Sequence, residues 1–320
     1  MPDYVICARD VKGKNFGSEP APSSYLVVPD GAQPRPSKDH LLDQKKWAVK
    51  VMAEARKGVP ANGEGHILVF VHGYNNDQKI VMERHRRLRD DLKAANFPGV
   101  VVSFDWPSGN VGAFYLEDLQ DAHNSAYQLV GDGILLLASM QQPDCKINIH
   151  ILAHSMGAYV TREAFTAADD IDNLTGKDWR VSQIMLVAPD VSSRSMGTSD
   201  HRSNGLYRSC NRLTCYSSRH DDVLKLSNVK RAGVAERAGR AGLPSDTPDQ
   251  AVNVDCSDYW LSIPKSQAVI GDRKHSWHIG DPVFTRDMIE TMNGVSRGVA
   301  ATRQELAPPA QNRYKLARPA

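Results

Sequence analysis

Short apolar runs alternate along this sequence with longer stretches in which apolar residues recur every three or four positions. The runs are Tyr4–Ala8, Tyr25–Val28, His66–Val71, Val100–Phe104, Ile147–Leu152, Ile184–Ala188, Arg212–Tyr216 and Val252–Val254. Buried strands separated by amphipathic helices are typical of a mostly parallel central sheet covered by helices on both faces. We therefore predict an α/β fold, with helices over 37–57, 77–95, about 116–137 and 156–167.

Charge and hydropathy argue against nucleic acid and membrane as partners, although a local basic patch stays possible. The 39 Lys and Arg residues nearly balance the 37 Asp and Glu residues, so there is no electrostatic case for nucleic-acid binding. The basic stretch Arg84–Arg89 is interpreted as the solvated face of a predicted helix. No apolar run approaches the ~18 residues of a membrane span, and the first residues lack a signal-peptide pattern. A cytoplasmic protein is the expectation.

The five cysteines do not suggest a disulfide framework or a metal site. They are scattered and odd in number: Cys7, Cys145, Cys210, Cys215 and Cys256. Such a set is typical of reduced thiols. Cys210 and Cys215 are close in sequence, but no further Cys or His completes a zinc-ligand pattern. We expect no metal and no cofactor.

The domain organisation is predicted to be simple. Nothing in the composition divides residues 1–295, so we predict one domain there, in which 1–62 form strands and a helix before the main motifs. Residues 296–320 are rich in Ala, Pro, Arg and Gln and poor in large apolar groups. They are predicted to form a mobile C-terminal tail.

The motif A-H-S-M-G at 153–157 lies between a predicted strand and a predicted helix. It differs from G-x-S-x-G only in Ala153, and both patterns meet the need for small residues at a sharp strand-to-helix turn. Such a turn exposes the hydroxyl of Ser155 and places the N–H of Met156 at a helix N-terminus, where it can stabilise an oxyanion. The alternative is an ordinary turn in which Ser155 caps the helix.

A second motif, H-G-Y at 72–74, directly follows the apolar strand that ends at Val71. With these two motifs the chain resembles the α/β-hydrolase superfamily, and within it a bacterial branch described as esterase- or lipase-like. The resemblance covers roughly 60–290. It rests on F-V-H-G-Y-N (70–75), L-A-H-S-M-G (152–157), L-V-A-P-D-V (186–191), Y-S-S-R-H-D (216–221) and H-S-W-H-I-G-D-P-V (275–283).

The resemblance implies roles for individual residues. Ser155 would be the nucleophile, the backbone N–H groups of Tyr74 and Met156 would form the oxyanion hole, and His72 would anchor its loop. The acid must follow the serine and precede the histidine in the chain. The family pattern favours Asp221 as the acid, with Asp190 and Asp222 as alternatives.

The family pattern favours His275 as the base, because Ser276 and Trp277 follow it, and His278 is the alternative. The expected activity is hydrolysis of small carboxylic esters through an acyl-enzyme. The polar segment between the strands that end at Ala188 and begin near Arg212 is too short for a large cap domain. Four aromatic residues could line the pocket or belong to the core: Phe114, Tyr115, Trp260 and Trp277. Alternative functions are a non-catalytic binding or scaffolding role and hydrolysis of amides, thioesters or polyesters.

Overall fold

The computed structural model describes residues 1–108, 115–140, 146–170, 179–230, 236–306 and 310–319. Within these ranges eleven strands form one sheet, in the order β10-β11-β9-β8-β7-β6-β4-β5-β1-β2-β3. The strands are β1 Asp3–Lys12, β2 Asn15–Val28, β3 Leu41–Leu42, β4 Gly65–Val71, β5 Gly99–Asp105, β6 Ile147–His154, β7 Val181–Val187, β8 Cys210–Ser217, β9 Ala251–Asp255, β10 Arg303–Glu305 and β11 Arg313–Leu316.

Neighbouring strands pair parallel across the centre of the sheet, which runs in space from β1 on one side to β11 on the other. The strands at the two edges pair antiparallel. At one edge β1, β2 and β3 pair antiparallel, and at the other β10 pairs antiparallel with β11. The mostly parallel sheet predicted from the apolar runs is therefore confirmed. Parallel strands bring their carboxyl ends to one side of the sheet, where ligand sites of α/β proteins form.

Helices cover both faces of the sheet. They are α1 Gln44–Ala55, α2 Gln78–Ala94, α3 Tyr115–Gln128, α4 Leu135–Ser139, α5 Met156–Asp170, α6 Asn204–Arg208, α7 Asp222–Lys230, α8 Ala238–Ala241, α9 Ser257–Leu261, α10 Arg273–Ser276 and α11 Pro282–Met292. On one face, Trp47 of α1 and Val160 of α5 pack with Val69 of β4. On the other face, Leu88 of α2 and Met288 of α11 pack with the alternate strand residues, whose side chains point away from the first face.

Two helix predictions need correction. The helix expected from Ser37 begins only at Gln44, because Asp43 caps it by accepting hydrogen bonds from the N–H groups of Lys45 and Lys46. Residues 38–42 instead form a 3₁₀ turn and the short edge strand β3. The long helix expected near 116–137 is interrupted by a π turn over Leu129–Ile134, which contains two glycines.

The prediction of a mobile tail after Ser296 is wrong for the residues described there. β11 extends the sheet beyond β9, and β10 pairs with β11. Arg303 is buried and donates to both carboxylate oxygens of Asp287 on α11, at 2.9 and 2.7 Å. Asp287 also accepts from the hydroxyl of Tyr216 at 2.6 Å. One buried ion pair thus anchors a segment that has few large apolar residues.

The interpretation of Arg84–Arg89 as a solvated helix face is also wrong for part of that stretch. Arg84 and His85 are buried against the sheet side of α2. Arg86 and Arg89 both contact the buried carboxylate of Asp3, at 2.8 and 2.6 Å. Their charges serve as partners for a strand residue rather than facing solvent.

Further expectations concern a cap domain, membrane-spanning helices and individual residues. The segment between β7 and β8 holds 3₁₀ turns and the five-residue helix α6, as expected for a chain with no cap inserted there. In the part of the chain that the structure describes, no helix is long and apolar enough to cross a bilayer. Phe114, the side chain of Tyr115 and Cys145 lie outside the described residues.

Candidate active site

Ser155 occupies the sharp turn between β6 and α5, as the motif predicts. Its backbone has a φ of 55°, a left-handed conformation that a non-glycine residue adopts only when its surroundings enforce it. Two bonds provide that enforcement: its N–H donates to the carbonyl of Val187 at 2.9 Å, and its carbonyl accepts from the N–H of Asp190 at 3.0 Å. The turn is therefore fixed by the neighbouring strand β7.

Glycines at two positions allow the chain to close around this turn. A Cβ at Gly157 would lie 2.3 Å from the carbonyl oxygen of Val71, so no larger residue fits between α5 and the end of β4. A Cβ at Gly73 would lie 2.8 Å from the Cβ of Ser155. The loop after β4 therefore packs directly on Ser155, and Met156 is the first residue of α5.

Several side chains fix the loop over residues 72–76. The Nδ2 group of Asn76 donates to the carbonyls of Gly73 and Tyr74, at 2.7 and 3.1 Å. The Nδ1 atom of His72 lies 2.8 Å from the same Gly73 oxygen, which can only accept, so this nitrogen carries the proton. Burial is the main cause that lowers the pKa of His72. His72 therefore anchors the loop, as the sequence led us to expect.

His275 and Asp221 meet at the carboxyl end of the sheet. The Nδ1 atom of His275 lies 2.6 Å from Oδ2 of Asp221, and both side chains are buried. The other carboxylate oxygen of Asp221 accepts from the N–H of Leu224 at 3.0 Å. The carboxylate is therefore held by the first turn of α7 while it contacts the imidazole.

The residue before Ser155 connects this pair to the turn. The rings of His154 and His275 have centroids 4.7 Å apart, and Nε2 of His154 donates to the carbonyl of His275 at 3.1 Å. Burial, followed by the charges of His275 and Arg84, holds the pKa of His154 well below its usual value. A neutral His154 thus joins the chain at Ser155 to the chain at His275.

The alternative acids have other partners. The buried carboxylate of Asp190 accepts from the hydroxyl of Ser227 at 2.9 and 3.0 Å and lies 3.4 Å from Nε of Arg237. The exposed carboxylate of Asp222 pairs with Lys274, and this hydrogen bond lowers the pKa of Asp222. The structure therefore brings Asp221, and neither rival, against the ring of His275.

The alternative base lies in the core. His278 stacks on Trp277, with ring centroids 3.9 Å apart, and packs edge-on against Phe284. Burial holds the pKa of His278 well below its usual value. Trp277 is likewise buried, so it belongs to the core rather than to a pocket wall, whereas Trp260 is half-buried and stacks on His220.

Arg84 is buried, contrary to the expectation that it faces solvent, and it supports the segment that contains His275. Arg84 donates to the carbonyl of Ile270 at 2.9 Å from Nη2 and at 3.2 Å from Nε, and to the hydroxyl of Ser276 at 3.1 Å. Burial lowers the pKa of Arg84 to about 10, so it stays protonated at neutral pH. No local sequence signal marks this role, because its partners are almost two hundred residues away.

The described residues offer no grouping of three or more His, Cys, Asp or Glu side chains that could hold a metal ion. The four described cysteines, Cys7, Cys210, Cys215 and Cys256, are buried thiols outside any disulfide. Burial is the main cause that raises the pKa of each. As buried neutral thiols, they are poor nucleophiles and poor metal ligands.

Comparison with known families gives the same assignment as the strand–turn–helix geometry. The profile of a family described as "Alpha/beta hydrolase of unknown function (DUF900)" matches residues 49–254. The chain belongs to this family. The matched region contains Ser155, Tyr74 and Asp221, whereas His275 lies beyond it. The α/β-hydrolase fold expected from the sequence is therefore confirmed.

Named relatives of this α/β hydrolase are distant. An uncharacterized protein from Nostoc sp. is 26% identical, over 53% of this chain and 56% of its own length. The chain thus matches little more than half of that relative.

Solved structures resemble the chain at low similarity. Phosphonate-inhibited esterase B from Lactobacillus rhamnosis has a TM-score of 0.37 and 11% identity, covering 73% of this chain and 77% of the esterase. Acyl-protein thioesterase 2 from Zea mays has a TM-score of 0.34 and 13% identity, covering 62% and 87%. With scores this low, neither structure carries an argument about the substrate of this family member.

Proposed function

We propose that this α/β hydrolase is a serine hydrolase that cleaves small carboxylic esters through Ser155, His275 and Asp221. The observation that carries the proposal is the 2.6 Å contact between the buried His275 and Asp221, on a segment bonded to the residue before Ser155. If Nδ1 of His275 donates to Asp221, the Nε2 atom has a lone pair with which to accept a proton.

The proposed reaction has two halves. The hydroxyl of Ser155 attacks the ester carbonyl while His275 takes its proton, and the proton then passes to the departing alcohol as the C–O bond breaks. Water attacks the acyl-enzyme in the second half, again giving its proton to His275. The carboxylic acid leaves, and Ser155 regains its proton.

The N–H groups of Tyr74 and Met156 are the proposed donors to the oxyanion. The contact of Gly73 with Ser155 and the position of Met156 at the start of α5 support this assignment. Such a donor contributes on the order of 10²–10³ in rate. No step requires a metal ion or an organic cofactor.

Purified protein should be tested with p-nitrophenyl butyrate and, in parallel, with a fluorophosphonate probe that labels activated serines. We expect both turnover and labelling in the wild type, and neither in Ser155→Ala. Ser199→Ala, at an exposed serine of the loop before β8, is the matched control and should keep both activities.

The outcomes separate the alternatives. Labelling at Ser155 without ester turnover would indicate hydrolysis of another acyl compound, such as a thioester, an amide or a polyester. A folded wild-type protein that is neither labelled nor active would contradict the proposal and favour a binding or scaffolding role. Turnover that persists in Ser155→Ala would refute Ser155 as the nucleophile.

A further inference from the structure

A buried arginine of the first strand lies beneath the loop over residues 72–76. Arg9 of β1 is 2% exposed, and its Nε donates to Oδ1 of Asp105, at the end of β5, at 2.7 Å. Strand register produces this contact, because Cys7 pairs with Asp105 and Arg9 lies two residues further along β1. Arg9 comes from outside the region that defines the family.

Asp105 is held as a charged partner for this arginine. Its second oxygen, Oδ2, accepts from Nε2 of Gln78 in the first turn of α2 at 2.8 Å. Burial is the largest single influence and would raise the pKa of Asp105, but the charge of Arg9 together with the contacts to His72 and Gln78 outweighs it and keeps the pKa well below its usual value. The carboxylate therefore stays ionised at neutral pH and orients the guanidinium.

The other end of the guanidinium reaches the loop. Nη2 of Arg9 donates to the backbone carbonyl of Asn76 at 3.1 Å. The side chain of Asn76 in turn donates to the carbonyl of Gly73 at 2.7 Å. Because a peptide group is planar, holding the carbonyl of Gly73 also fixes the direction of the N–H of Tyr74.

We propose that Arg9 is a positioning residue that orients the Tyr74 N–H toward the oxyanion through Asn76 and the Gly73–Tyr74 peptide. This inference rests on the proposed serine-hydrolase function. Arg9 touches no reacting atom, so its effect falls on the charge that develops in the transition state rather than on binding of the neutral ester. The N-terminal hairpin is thereby part of the catalytic apparatus.

The decisive variant is Arg9→Lys. Lysine keeps a positive charge beside Asp105, but its single ammonium group cannot reproduce the fork that also reaches the carbonyl of Asn76. With p-nitrophenyl butyrate we expect kcat to fall about tenfold to a hundredfold with KM within about twofold of wild type. The affinity for butylboronic acid, whose adduct with serine mimics the tetrahedral intermediate, should fall by a similar factor.

Arg303→Lys is the matched control. Arg303 makes an equally buried ion pair, with Asp287, at the opposite edge of the sheet. It should lose stability as Arg9→Lys does but keep kcat. If Arg9→Lys does not fold, Arg9→Met with Asp105→Leu removes the charge pair as a unit and should still lose kcat. A folded Arg9 variant with wild-type kcat and boronate affinity would overturn the proposal.

Amide hydrogen exchange distinguishes failure of this inference from failure of the proposed function. In Arg9→Lys, peptides covering 72–78 should exchange faster than in the wild type and in Arg303→Lys. If the wild type proves inactive and unlabelled, the proposed function falls, and unchanged exchange in this region would then overturn the positioning role as well. Faster exchange there would show that Arg9 orders the loop over 72–76, which is the structural half of the inference, even if the hydrolase function failed.

Discussion

His275 and Asp221 are 54 residues apart in the chain, yet Nδ1 of one lies 2.6 Å from Oδ2 of the other. β9 and α9 lie between them in the chain, and the two residues meet in a structure in which β9 pairs with β8 and α10 packs against α7. The N–H of Leu224 binds the opposite oxygen of Asp221 and leaves this carboxylate one orientation toward the ring.

Asp221→Asn should lower kcat by about 10³–10⁴ while the protein remains folded, because an amide cannot hold the imidazole in the required tautomer. Asp190→Asn should instead leave kcat within about tenfold and lower the free energy of unfolding by ~1–3 kcal/mol, since Asp190 partners the buried Arg237. Ester kinetics and urea unfolding of both variants test this. Asp222→Asn, at an exposed ion pair, is the control; a larger loss of kcat in Asp190→Asn would move the acid to β7.

Ser155→Gly should be more stable than Ser155→Ala by about 0.5–1 kcal/mol, although we expect both to be inactive. The left-handed φ of 55° costs ~1–2 kcal/mol for a residue with a Cβ, and the greater freedom of glycine in the unfolded chain offsets part of that gain. Urea unfolding of the two variants measures the difference. Equal stabilities would mean that the turn imposes no strain on Ser155.

Stability should fall as the pH drops below about 6.5. Burial lowers the pKa of His85 to about 3 and holds the pKa of His150, His154 and His278 well below the usual value. These folded-state pKa values are depressed, so the unfolded chain binds more protons below ~6.5, and each histidine withdraws at most about 1.4 kcal/mol per pH unit there.

Urea unfolding at pH 7.5 and pH 5.5 checks this dependence. The free energy of unfolding should be several kcal/mol lower at pH 5.5. His85→Gln should reduce the pH slope by about one proton. Equal free energies at the two pH values would contradict the prediction.

Arg303→Met should lower the free energy of unfolding by about 3–5 kcal/mol, because it leaves the carboxylate of Asp287 buried without its cation. Removing both charges in Arg303→Met with Asp287→Leu should recover most of that loss. Chemical denaturation compares the two. A double variant no more stable than the single one would show that the ion pair is not what attaches β10 to α11.

The elements that follow local pattern could be predicted from the sequence. The runs at His66–Val71 and Ile147–Leu152 could be predicted as central strands because a strand buried on both faces is mostly apolar. The turn at Ser155 could be located because the small neighbours that it needs all lie within the five-residue motif at 153–157. The pairing of Asp221 with His275 required the resemblance to a family, since spacing alone left three acids and two bases open.

What could not be predicted depends on long-range charge pairs. Arg84 and His85 belong to a basic stretch that resembles a wet helix face, and only the packing of α2 against the sheet shows them buried. Arg9 follows an ordinary apolar run, and its partner Asp105 is 96 residues away. The residues after Ser296 have the composition of a tail. The ion pair that anchors them could not be predicted, because a single arginine and its carboxylate partner give no periodic signal.

Asp287 leaves the ribosome sixteen residues before the arginine that neutralises it. Until residues 303–316 have been added, α11 cannot settle with that carboxylate buried, and β9 lacks its neighbour β11. The hydrogen bonds that fix the turn at Ser155 go to residues synthesised much earlier, Val187 and Asp190. His275 lies later in the chain, between β9 and α11. A growing chain therefore contains the residues that fix the turn at Ser155 long before it contains the residues that anchor α11, which follows His275.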